Sequence, residues 1–156
     1  MQLTVISPGK TKKEYLAAAI TDFQKRLSIF LPCRMIYTRE VAARAKTPVR
    51  QIMELEGRRL LEKIQRPTLL VALDRTGKQF SSEELAELLE KWEGEGRRSI
   101  TFLIGGHLGL SEQVVDKANV LLSLSKMTFT HEIARLILLE QLYRASTIRK
   151  GTGYHK

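Results

Sequence analysis

Ser99-Ile100-Thr101-Phe102-Leu103-Ile104, followed at once by Gly105-Gly106, is a short run rich in β-branched and apolar residues, cut off by two residues that let a backbone turn sharply. It reads as a buried strand ending in a tight turn. The same pattern recurs along the chain and predicts strands over 2–7 (QLTVIS), 33–38 (CRMIYT), 68–73 (TLLVAL) and 119–123 (NVLLS) as well as 99–104. Between them apolar residues stand three and four apart, which predicts helices over 12–28, 48–65, 81–95, 111–117 and 131–146. Strands that alternate with helices imply an α/β domain with a mostly parallel sheet flanked by helices, here a single domain over residues 1–156. Local signals agree. Pro8-Gly9 breaks the chain after the first strand, Pro48 suits a first helical turn after Thr47, and Ser81-Ser82-Glu83-Glu84 offers a cap with carboxylates at the positive helix end.

The chain has 156 residues, 43% hydrophobic and 28% charged, enough for one domain that buries about two-thirds of its unfolded surface. Its 26 Lys and Arg against 17 Asp and Glu give a net charge of +9, which favours an anionic partner. That charge is uneven. Residues 1–66 hold 14 basic and 6 acidic side chains, residues 67–125 hold 6 and 9, and residues 126–156 hold 6 and 2. A basic front and a basic tail around an acidic middle predict an anion-binding surface built from both ends. No apolar run reaches the roughly 20 residues that span a bilayer, and the first residues lack a signal-peptide pattern, so no membrane partner and a cytoplasmic location are expected. The lone Cys33 fits a reducing compartment and reads as a packed small hydrophobe.

The predicted helix 131–146 carries Ile133, Ala134, Leu136, Ile137, Leu138, Leu139, Leu142 and Tyr143 in every quadrant. With no broad polar face it must be covered on more than one side, and a second copy of the chain is the expected cover. Ligands of open α/β sheets bind beyond the carboxyl ends of strands. Three turn-like segments lie there: residues 73–78, residues 104–110, and residues 124–131. Gly105-Gly106 lacks both the dinucleotide and the triphosphate-binding patterns. His107, His131 and His155 lie apart, with no helical pair and no Cys partner, so no metal is expected.

Phe102-Leu103-Ile104-Gly105-Gly106 with Gly109-Leu110, then Leu122 to Phe129, Glu140-Gln141-Leu142-Tyr143-Arg144-Ala145 and the terminal Tyr154-His155-Lys156 together resemble the RlmH (YbeA-type) ribosomal RNA large-subunit methyltransferases of the SPOUT superfamily. The likeness covers essentially the whole chain. It implies a homodimeric SPOUT-type α/β domain with a C-terminal trefoil knot, the methyl donor S-adenosyl-L-methionine held in the knot loops, and no metal. The implied substrate is the N3 position of a pseudouridine in large-subunit (23S) rRNA within the assembled ribosome. The implied cofactor contacts are Leu73, Gly105, Leu124, Ser125, Lys126, Met127, Thr128 and Phe129. Arg144, Tyr154 and His155 are the side chains expected near the attacking nitrogen, and His107 falls where family members differ. Gly151 and Gly153 are expected to leave residues 150–156 flexible until a nucleotide binds. A noncatalytic RNA-binding module and a small-molecule methyltransferase stay open as alternatives.

Overall fold

The computed structural model describes residues 1–42 and 47–155, His155 by its backbone alone. Five strands, β1 (Gln2–Pro8), β2 (Cys33–Thr38), β3 (Leu69–Lys78), β4 (Ser99–Ile104) and β5 (Val120–Leu122), form one sheet in the order β2-β1-β4-β3-β5. Every pairing is parallel. The helices are α1 (Glu14–Ser28), α2 (Val49–Glu62), α3 (Ser82–Gly94), α4 (Glu112–Lys117) and α5 (His131–Arg149), with a short 3₁₀ turn at Gly153–His155.

Side chains alternate across the sheet and build a core on each face. Leu3, Val5, Val71, Ile100 and Phe102 face a larger core with Leu138, Leu139 and Leu142 of α5, while Ile6, Leu70, Ala72 and Leu103 face a smaller one with Leu60 and Val114. A sheet covered on both faces needs the near-continuous apolar strands found in the sequence. Ser81 caps α3 by accepting from the Glu84 N–H at 3.1 Å, and the Glu84 carboxylate accepts from the Ser81 N–H at 2.7 Å. Cys33 is buried, and burial pushes its thiol pKa up to about 12, which leaves it an inert packed group.

Residues 73–78 keep a turn-like character inside a longer strand: β3 runs to Lys78, but Leu73 and Lys78 both pair with Leu122, so residues 74–77 form an excursion in which the Asp74 carboxylate accepts from the Thr76 N–H at 2.8 Å. The expected cover of α5 is corrected. The apolar circumference of α5 is largely covered within the chain, since α1 and α3 flank it over the sheet; what stays exposed is smaller, chiefly Ile133 with the preceding Met127 and Phe129. The basic tail is also less free than its charge suggests. Arg135 is buried, Arg144 pairs with Glu140 at 2.5 Å, and Arg149 pairs with Glu93.

Candidate active site

Beyond the carboxyl ends of β3 and β4 lies a cavity of about 350 Å³, within the range that takes a small organic ligand. Leu73, Asp74 and Arg75 line it from β3, and Ile104 to Leu110 form a turn beside them. The segment after β5 and the start of α5 close it with Leu124, Ser125, Met127, Thr128, Phe129, His131 and Ala134, and Met53 of α2 adds a further wall. The structure therefore brings together every expected cofactor contact except Lys126, which points to solvent from the same run. That run is held locally. Ser123 Oγ donates to the Ser125 carbonyl at 2.9 Å, Ser125 Oγ accepts from the Met127 N–H at 3.0 Å, and Thr130 Oγ1 caps α5 through the Ile133 N–H at 3.3 Å.

The walls require glycine. A Cβ at Gly105 would collide with the Gly109 backbone, so only a residue without a side chain lets the 105–110 turn close on itself. A Cβ at Gly77 would meet the Leu121 carbonyl carbon at 2.6 Å, and Ser123 donates its N–H to the Lys78 carbonyl at 2.9 Å. The chain thus passes hard against the end of β3 before it turns into the cavity wall.

The mouth of the cavity carries charge that the sequence reading did not assign. His131, at the first position of α5, has Nε2 3.8 Å from Glu40 Oε1, and Glu40 Oε2 binds Lys12 Nζ at 3.2 Å. Burial first, and the nearby Arg135 charge second, lower the His131 pKa, with Glu40 and Glu132 opposing. The imidazole is therefore neutral at pH 7. One turn on, Arg135 is fully buried and donates to Ser7 Oγ at 2.6 Å, Thr11 Oγ1 at 2.9 Å, and the Pro8 and Gly9 carbonyls at 2.5 and 2.7 Å, with Tyr37 stacked 5.1 Å away. Five polar and aromatic partners replace its water. The signal was present in sequence: Arg135 stands three and four residues before Leu138 and Leu139, on the buried stripe of α5.

Arg144 and Tyr154 meet one another but do not meet the cavity. Arg144 binds Glu140 Oε1 through Nε at 3.0 Å and stacks 4.9 Å from the Tyr154 ring; that ring packs edge-on against Tyr143 at 4.6 Å, and its hydroxyl donates to Glu140 Oε1 at 3.3 Å. At about 1.5 Å per residue, Arg144 lies roughly 20 Å along α5 from His131. Burial first, and Glu140 second, raise the Tyr154 pKa, so the phenol keeps its proton at neutral pH. Where a free tail was expected, Tyr154 docks on α5; the His155 side chain and Lys156 lie outside the described residues. Among the described residues no group of three or more His, Cys, Asp or Glu could hold a metal ion, and no helix is long and apolar enough to cross a membrane.

Residues 1–155 match the family described as Predicted SPOUT methyltransferase. A ribosomal RNA large subunit methyltransferase H of Clostridium botulinum (strain Kyoto / Type A2) is 42% identical over the full length of both chains, and the protein of the same name from Pelotomaculum thermopropionicum is 43% identical over 98% of each. The chain belongs to the ribosomal RNA large subunit methyltransferase H family. Members of this SPOUT family are methyltransferases, and this chain is an enzyme of that class. Solved structures agree on the fold. A probable methyltransferase from Bordetella pertussis Tohama I superposes with a TM-score of 0.58 at 12% identity, covering 92% of this chain and 95% of that one. A probable methylase family protein from Haemophilus influenzae Rd KW20 gives 0.55 at 10% identity, covering 99% of this chain and 70% of that one.

Proposed function

We propose that the enzyme transfers a methyl group from S-adenosyl-L-methionine to N3 of a pseudouridine in large-subunit rRNA, acting in the cytoplasm on the assembled ribosome as a homodimer. The observation that carries this reading is the single cavity in which Leu73, Gly105, Leu124, Ser125, Met127, Thr128 and Phe129 converge. Leu73, Leu124, Met127 and Phe129 offer an apolar slot for a purine, and the 105–110 turn offers backbone groups to its edges. The passage of residues 121–123 against Gly77 and Lys78 supports a C-terminal segment threaded as a trefoil knot.

S-adenosyl-L-methionine, held by these residues, would supply an electrophilic methyl group with its sulfur leaving as the neutral thioether. The protein's part is positioning and charge. Arg144 cannot accept a proton, so it stabilises the developing imide anion, and Tyr154 retains its proton and offers a stacking surface. His155 is the member of that set able to take the N3 proton. Since Arg144 stands roughly 20 Å along α5 from His131 at the cavity, this reading has a second copy bring its Arg144 and tail to this cavity. The exposed Met127, Phe129 and Ile133 at the cavity edge supply an apolar surface for that contact.

Tritiated methyl transfer to ribosomes and to naked rRNA, followed by mapping of the label, tests the reading. Label on one pseudouridine of the large subunit is expected, with ribosomes preferred. No transfer, together with no calorimetric binding of the donor, would leave a noncatalytic RNA-binding module. Sedimentation is expected to give twice the 17.8 kDa chain mass; a stable monomer with full activity would remove the shared site.

A further inference from the structure

Against the 105–110 turn, outside the cavity lining, α2 buries a carboxylate. Glu56 is 3% exposed, and its Oε1 accepts the Val41 N–H at 3.1 Å. Its Oε2 is buried and has no hydrogen-bond partner among the described residues. That oxygen faces the turn itself, for a Cβ placed on Gly106 would lie 2.5 Å from it. Next along α2, Gly57 packs against Ser111 at the far end of the same turn, and Ser111 Oγ is also buried without a partner among the described residues. Met53, one turn earlier on α2, lines the cavity.

A buried carboxylate oxygen without a donor is unfavourable, because neither water nor protein replaces its hydration. Two orphaned polar atoms on one interface, both against the 105–111 segment, describe a turn that has not reached its best-bonded position. The groups able to satisfy Glu56 Oε2 are the backbone N–H groups of that turn, since Gly106 lets the main chain come into contact there. The same turn is a wall of the cavity. A ligand that presses the turn into its bonded position is thereby linked to Glu56, and the linkage is reciprocal.

We propose that Glu56 is a positioning residue of the methyl-donor site, anchored by the Val41 N–H through one oxygen and accepting a backbone N–H of the 105–110 turn through the other when the donor is bound. This rests on the donor assignment above. Glutamine in its place keeps the shape and one carbonyl oxygen, so it satisfies Val41 or the turn but cannot accept from both.

The test is calorimetry with S-adenosyl-L-methionine on the full-length wild type, Glu56→Gln and Glu56→Ala, combined with amide hydrogen exchange with and without donor. Expected are donor affinities weakened about tenfold in the Gln variant and at least that in the Ala variant. KM for the donor should rise while kcat at saturating donor stays within about twofold. Donor-induced protection of residues 106–109 should appear in the wild type and shrink in Glu56→Gln, with exchange of β1 and β4 unchanged. Wild-type binding with an unaltered affinity and protection pattern in Glu56→Gln overturns the role of Glu56 alone. No donor binding by the wild type overturns the donor assignment and this proposal with it. If Glu56→Ala fails to fold, the near-isosteric Gln variant still decides.

Discussion

The two ends of α5 treat their arginines in opposite ways. At the amino end Arg135 is sealed from solvent and neutral oxygens take all its hydrogen bonds, with no carboxylate among them. At the carboxyl end Arg144 is partly exposed and already pairs with Glu140 four residues back. A buried guanidinium held by backbone carbonyls and hydroxyls is a fixed brace: it ties α5 to the end of β1 and to the following loop, and it cannot leave without orphaning four acceptors. A partly exposed pair exchanges its partner at less cost than a sealed one. The first end shapes a cavity, and the second presents a cation, a phenol and a terminal turn that are free to be re-partnered.

Arg135→Met breaks the brace and should give the largest effect, a stability loss of about 3 kcal/mol, since Ser7, Thr11 and two carbonyls lose a charged donor. Chemical denaturation measures it, and a loss under about 1 kcal/mol would mean that water fills the site equally well. Gly105→Val comes next. Its side chain meets the Gly109 backbone rather than a movable side chain, so the turn itself shifts, and donor affinity should fall at least about a hundredfold, near 2.7 kcal/mol. Circular dichroism is expected to show the sheet intact, because the displaced turn lies beyond the strand. Unchanged calorimetric affinity would remove Gly105 from the donor site. At the other end of α5, deleting Tyr154 to Lys156 should cut ribosome methylation by about tenfold, roughly 1.4 kcal/mol of transition-state stabilisation, with donor affinity unchanged. A truncated enzyme with full activity would reduce the tail to a docked cover for Tyr143 and make Arg144 the leading substrate-site residue.

The contrast also explains what was legible beforehand. Strand and helix positions followed from apolar spacing because β1, β4 and the first half of β3 are buried on both faces, and the cavity residues followed because they sit on turns immediately after those strands. Long-range pairing left no such trace. Nothing local says that Lys78 returns to pair with Leu122, that α1 and α3 cover α5, or that Tyr154 returns to Glu140. Arg135 and Glu56 are the instructive misses. Each is a charged residue on an apolar stripe, Arg135 before Leu138 and Leu139, Glu56 between Ile52 and Leu60. A charge at a core-facing position signals a buried polar contact, and spacing identifies the position without identifying the partner. The separation of Arg144 from the cavity was hidden for a different reason, since a resemblance transfers residues without saying which copy of the chain supplies them.

The smallest effect concerns His131, which joins the brace to the cavity. Its pKa is lowered, first by burial and then by Arg135, against the opposing carboxylates of Glu40 and Glu132 and with Lys12 adding to the fall. The sign of the consequence is fixed. In the unfolded chain the imidazole titrates near its ordinary value of about 6.5, so as pH drops below that point the unfolded state takes up a proton before the folded state does. The stability this group contributes is present above about pH 6.5 and is lost as pH falls toward the folded pKa. Donor binding should share that direction, since the donor carries a cationic sulfur and a protonated His131 would add a further positive charge to the same cavity. Affinity is therefore expected to be level above about pH 6.5 and to weaken by about threefold at more acid pH, the modest size reflecting a half-buried group whose charge is partly screened. Calorimetry across that range on wild type and His131→Gln measures it, and the Gln variant should give a flat profile. If the variant keeps the acid loss, the titrating group is not His131. If affinity instead rises in acid, the donor does not place its positive charge near the start of α5, and the assignment of that end as the cavity-forming one would have to rest on Arg135 alone.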